Sequence, residues 1–97
     1  MNCIQIKFKK SPVKYIKNMS RKDQIRVLNK INKLPDGEHI KKLERYKNRF
    51  RLRVGDFRII YEIHKTADNV NSHDGNIVIT ILIMEIGTRG DIYKRNT

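Results

Sequence analysis

The chain has 97 residues, 22 of them Lys or Arg against 10 Asp or Glu, for a formal charge of +12. That length holds one modest core and one domain, residues 1–97, and the charge points to a polyanionic partner, nucleic acid first. No apolar run approaches the roughly 18 residues of a membrane span, no signal-peptide pattern opens the chain, and a lone cysteine excludes an internal disulfide; a cytoplasmic protein away from the membrane is the expectation.

Ile4, Ile6 and Phe8 alternate with Gln5, Lys7 and Lys9, the period of a strand of about seven residues. Cys3 is expected there as a buried thiol. Ser11-Pro12 reads as a helix cap followed by proline at the first helical position, with Val13 and Ile16 on the apolar side of a short helix. Ser20-Arg21-Lys22-Asp23 resembles a capping box. Ile25, Leu28, Ile31 and Leu34 recur every three residues as the expected buried stripe of a second helix, ended by Pro35-Asp36-Gly37. Lys14, Lys17, Lys22, Lys30 and Lys33 read as solvated helix faces.

Residues 38–48 are polar and irregular. Then comes RFRLRVGDFRIIYEI, residues 49–63, in which Arg49, Arg51 and Arg53 alternate with Phe50, Leu52 and Val54. Gly55-Asp56 is a two-residue hairpin turn with glycine first, as a type II′ turn prefers. Pairing across it opposes Val54 with Phe57, Arg53 with Arg58, Leu52 with Ile59, Arg51 with Ile60, Phe50 with Tyr61 and Arg49 with Glu62. Opposed residues share a face. One face is therefore apolar, with Tyr61 structural, and the other carries Arg49, Arg51, Arg53 and Arg58 with Glu62 as its one acid. Residues 64–76 read as a loop, and Ile77–Ile86 as a central, largely buried strand.

The predicted order is β-α-α-β-β-β. It describes an α+β fold: a small, mostly antiparallel sheet with an N-terminal helical hairpin on one face and the arginines on the other. His39, His64 and His73 lack ligand spacing, so no metal site is expected; His64 and His73 read as solvated. No phosphate loop, dinucleotide fingerprint or nucleophile–base arrangement is present, and no cofactor is expected. What remains is guanidinium chemistry. Arginine's planar fork suits phosphate, and an aromatic ring such as Tyr93 can stack on a base.

Leu52–Ile63, followed by Ile86-Gly87-Thr88-Arg89-Gly90-Asp91-Ile92-Tyr93, resembles the RelE/ParE superfamily of toxin–antitoxin toxins, most of all its RelE-type messenger-RNA endonucleases. The resemblance implies a RelE-like fold and a metal-independent endoribonuclease that cleaves messenger RNA in the ribosome. For a chain acting there, Lys14, Lys17, Lys22, Lys30 and Lys33 also offer a docking surface for ribosomal RNA. It also implies a cognate antitoxin: the toxin alone is a monomer, and with its antitoxin a hetero-oligomer. By the same resemblance, Arg51, Arg58, Arg89 and Tyr93 stand at catalytic positions and Arg49 at a second basic one; from their place on the cationic face, Arg49 and Arg53 are expected to guide RNA. Two departures stand out. Arg51 replaces the family's lysine, and arginine is always protonated, a poor base. Thr88 stands where many relatives carry histidine. Glu62 is a conceivable base, but opposed to Arg49 it reads as an ion pair. The alternatives are a ParE-type toxin that inhibits gyrase by contact and a non-catalytic nucleic-acid-binding relative.

Overall fold

The computed structural model describes residues 2–67 and 77–88. Its elements are β1 (Asn2–Phe8), α1 (Lys10–Lys17), α2 (Arg21–Ile31), β2 (Ile40–Lys42), β3 (Arg49–Val54), β4 (Phe57–Ala67) and β5 (Ile77–Thr88). The five strands form one mixed sheet in the order β1-β5-β4-β3-β2, with β1 parallel to β5 and every other pairing antiparallel. This is the expected α+β arrangement with one strand more. β2 lies inside the polar stretch 38–48, where three residues at a sheet edge leave too short a pattern to read. β4 also runs on through Ala67, because its backbone pairs with β5 from His64↔Thr80 to Ala67↔Ile77. The rest of the expected loop, residues 68–76, lies outside the described residues.

The hairpin forms in the register read from the sequence, pair for pair from Arg49↔Glu62 to Val54↔Phe57. Gly55 has φ +59°, as the first position of a type II′ turn requires. A side chain there would also meet the guanidinium of Arg26, which stands within 2.8 Å of where a Cβ would be.

Both helices lie on the apolar face. Val27, Ile31 and Leu34 pack against Leu52, Val54, Ile59, Tyr61, Ile81, Ile83 and Ile86. Tyr15 of α1 meets Phe57 edge-on, 6.3 Å between ring centres. The Gln24 side chain donates to the Ile16 carbonyl at 2.8 Å and ties the helices together. Ser20 caps α2, its hydroxyl accepting from the Asp23 amide.

Several local expectations are corrected. α1 starts at Lys10, with Pro12 third in the helix. First-turn amides have no helical partner anyway, so proline fits there without loss. α2 buries Val27 and Ile31, whereas Ile25 is 52% and Leu28 36% exposed. At 3.6 residues per turn, a strict three-residue spacing winds about half-way round the cylinder between Ile25 and Leu34, so those four residues never shared a face. The Cys3 thiol is exposed, because Cys3 shares parity with Gln5 and Lys7 and points away from the helices.

β5 is interior but only half covered. Ile81, Ile83 and Ile86 are fully buried, while Val78, Thr80 and Leu82 on the other face are partly exposed. The central strand is β4. A bulge at Met84 shifts the pairing from Ile60↔Glu85 to Tyr61↔Ile83. Without it, Glu85 would share the parity of Ile81 and Ile83 and face the core. The bulge turns Glu85 onto the arginine face and Ile86 inward.

The α2 correction gives a direct test. Ile31→Ala is expected to cost about 2–5 kcal/mol and Ile25→Ala within about 0.5 kcal/mol of nothing, read from urea unfolding midpoints.

Candidate functional site

The sheet face away from the helices carries the chemistry. The ladder lays it out in rows: Lys41–Arg51–Ile60–Glu85, Arg53–Arg58–Gly87 and Arg49–Glu62–Leu82. Over the first row lies a cleft of about 420 Å³, floored by Arg51, Arg58 and Ile60 and walled by residues 41–46 together with Arg49. Its lining holds the cations Lys41, Lys42, Arg45, Arg49, Arg51 and Arg58 against one acid, Glu44. The wall is a built loop: the Leu43 amide donates to the Arg49 carbonyl at 2.9 Å and the Tyr46 amide to the Leu43 carbonyl at 3.1 Å.

Arg58 is the unusual member. It is 8% exposed, yet its Nε and Nη1 have no hydrogen-bond partner. Gly87 stands opposite it and puts no side chain beside it. Its other ladder neighbour is Arg53, a like charge. A buried guanidinium in such surroundings is costly to the fold unless an anion completes it.

Arg49 has the reverse arrangement. Its Nε and Nη2 both donate to Glu62 Oε2, at 3.1 and 2.6 Å. Glu62 Oε1 lies 3.0 Å from His64 Nε2, and His64 Nδ1 lies 3.3 Å from Asn48 Nδ2. The Nε2–H tautomer of His64 satisfies both contacts, donating to Glu62 and accepting from Asn48. The guanidinium of Arg49 also sits 4.1 Å over the ring of Tyr46. The bonds from Arg49, then those from His64, hold the Glu62 carboxyl below the usual carboxylate range. Glu62 is therefore a committed counter-ion, as its opposition to Arg49 indicated, and a weakened base. His64 is a bonded member of this network rather than merely solvated.

Arg49, Arg51 and Arg58 thus meet at one cleft. Arg53 is on the same face but exposed, and does not line it. Arg89 and Tyr93 lie outside the described residues, as does His73. Tyr61 is a core residue, stacked on Phe50 at 5.5 Å, and burial pushes its hydroxyl up to about 12. Sequence reasoning missed Lys41, Lys42, Arg45 and Tyr46. The signal was a run of cations, Lys41, Lys42 and Arg45, just before the arginine strand. Among the described residues no cluster of His, Cys, Asp or Glu could hold a metal, and no helix is long and apolar enough to cross a membrane.

No family profile matches the sequence, and no curated protein matches it. A solved structure does. The crystal structure of the RelB-RelE antitoxin-toxin complex from Methanococcus jannaschii contains a chain with a TM-score of 0.65 and 27% identity, covering 92% of this chain and 96% of that one. The chain is similar to a component of a toxin–antitoxin system.

Two tests follow from the geometry. Arg58→Met removes an unsatisfied buried cation; relief of about 1 kcal/mol raises the thermal midpoint by about 4–8 °C. For Glu62, a carboxyl lowered in the fold stabilises above its unfolded pKa, and that contribution disappears as pH falls through the folded value. Glu62→Gln is therefore expected to be less stable at neutral pH by about 1–2 kcal/mol and to converge with wild type as the pH falls into the acid range, in urea melts across pH.

Proposed function

We propose that this chain is the toxin of a toxin–antitoxin pair and a metal-independent endoribonuclease of RelE type. The observation that carries the reading is Arg58: a buried guanidinium with Nε and Nη1 unpartnered, lining a cationic cleft. Such a group is worth its cost when an anion of fixed position completes it, and a phosphodiester matches its planar fork. RNA supplies its own nucleophile. The 2′ oxygen forms a bond to the adjacent phosphorus as the bond to the 5′ oxygen breaks; the 2′ hydroxyl gives up a proton and the leaving oxygen takes one. The product ends are a 2′,3′-cyclic phosphate and a 5′ hydroxyl.

In this reading Arg58 and Arg51 hold the phosphate and stabilise the charge that grows on its oxygens at the transition state. Arg51, always protonated, contributes charge and not proton abstraction. Lys41, Lys42, Arg45 and the exposed Arg53 guide the RNA backbone. Arg89 and Tyr93 complete the clamp and position a base, on the strength of the motif they share with RelE-type toxins. Translating ribosomes are the setting, and messenger RNA the substrate. The cytoplasm is the compartment. The partner is a cognate antitoxin whose acidic segment folds across the cationic face. The RelB-RelE neighbour, itself an antitoxin–toxin complex, supports a partner of that kind.

The test is to add purified protein to a translating extract and map message ends. Wild type is expected to leave new ends with 5′ hydroxyls, and Arg58→Ala to lower the cleavage rate by about 10²–10³ while remaining folded. Intact message at concentrations that arrest growth refutes the assignment and favours a target met by protein contact.

A further inference from the structure

We propose that Tyr46 is a nucleobase-stacking platform of the cleft, locked in place by Arg49. The inference rests on the RNA-cleaving reading above and deepens it by naming a base contact beside the phosphate clamp.

Three observations meet at this residue. Tyr46 lines the cleft that Arg51 and Arg58 floor, and it is 41% exposed there. An aromatic ring that only anchored the loop would be buried; this loop is instead held by its backbone, through the Tyr46 amide to the Leu43 carbonyl and the Leu43 amide to the Arg49 carbonyl. The ring is also not left to wander. Arg49 lies 4.1 Å above one face, and Arg49 is itself clamped by two bonds to Glu62. Glu62 is held by His64, and His64 by Asn48, which returns to the same loop that carries Tyr46. The chain of contacts closes on itself and fixes an aromatic plane at the rim of a phosphate-binding floor.

That geometry matches one nucleotide of single-stranded RNA. Every base has a π face, so a base stacks on a tyrosine whatever its identity, while its phosphate reaches the cations below. A ring already polarised by a guanidinium on one side is pre-organised for a flat partner on the other. Arg49 thus becomes a positioning residue, its charge spent on Glu62 and its plane on Tyr46, rather than a guide for RNA.

The test uses the full chain and a short single-stranded RNA carrying 2-aminopurine, whose fluorescence falls on stacking. Wild type is expected to quench it. Tyr46→Ala should bind about tenfold more weakly without quenching, and Tyr46→Phe should keep both properties. Tyr46→Phe should keep the wild-type thermal midpoint, and Tyr46→Ala, which loses only the ring's contact with Arg49, should stay folded with a midpoint lower by a few degrees at most. An abasic site in place of the fluorescent base should weaken wild type by the same factor and leave Tyr46→Ala unaffected, which isolates the pair. If wild type binds and cleaves RNA but Tyr46→Ala matches it in affinity, or Phe fails as Ala does, the platform is refuted while the nuclease stands. If wild type cleaves message in the translating extract yet neither binds nor quenches the short RNA, the platform is refuted while the nuclease stands; if it does neither, both readings fall.

Discussion

Everything on the cationic face depends on how β3 and β4 pair across Gly55-Asp56. Side chains alternate along a strand, so a slip of one residue would send Arg51 and Arg53 into the core and Leu52 and Val54 into water. The two-residue turn prevents this. Its positive-φ position, at +59°, belongs to glycine, and the guanidinium of Arg26 from α2 rests over that glycine. Turn and ladder therefore enforce one register between them. The apolar half of that register builds the core under the helices, and the charged half builds the floor of the cleft.

The arginines on that face of the sheet are chemically unequal although their ladder positions are similar. Arg49 is satisfied within the chain by Glu62 and by the ring of Tyr46. Arg53 is solvated. Arg58 is buried with two nitrogens unsatisfied, beside a glycine and another arginine. Charge alone gives a solvated cationic surface at modest energetic cost. The burial of Arg58 adds a local penalty that only an outside group removes, and this asymmetry separates a site from a merely basic face.

Much of this was legible in the sequence, for reasons that can be named. The hairpin register was readable because strict alternation and a glycine-first turn leave one solution. Ser20 was readable as a cap because its chemistry is local. The ion pair of Arg49 with Glu62 followed from register alone. The failures were failures of range. The α2 face was misread because a three-residue repeat looks helical yet precesses around the axis; Val27 was the better guide. β5 read as central and largely buried because nothing in a strand's own residues says whether a second layer covers it. Glu85 reached the arginine face through a bulge that no residue of β5 announces. β2 and Tyr46 were invisible because an edge strand of three residues and a loop take their positions from partners distant in the chain.

The pairing of β1 with β5 has a consequence for how the molecule is made. β1 hydrogen-bonds to β5, Asn2↔Ile77 through Phe8↔Ile83, so β1 must wait for a partner that is made well after it, beyond both helices and the other three strands. Helices and the β3–β4 hairpin can form from neighbours in sequence, but one flank of the sheet stays open until β5 has emerged. A cleft floored by β3 and β4 can therefore take shape on the nascent chain before the sheet that supports it is closed.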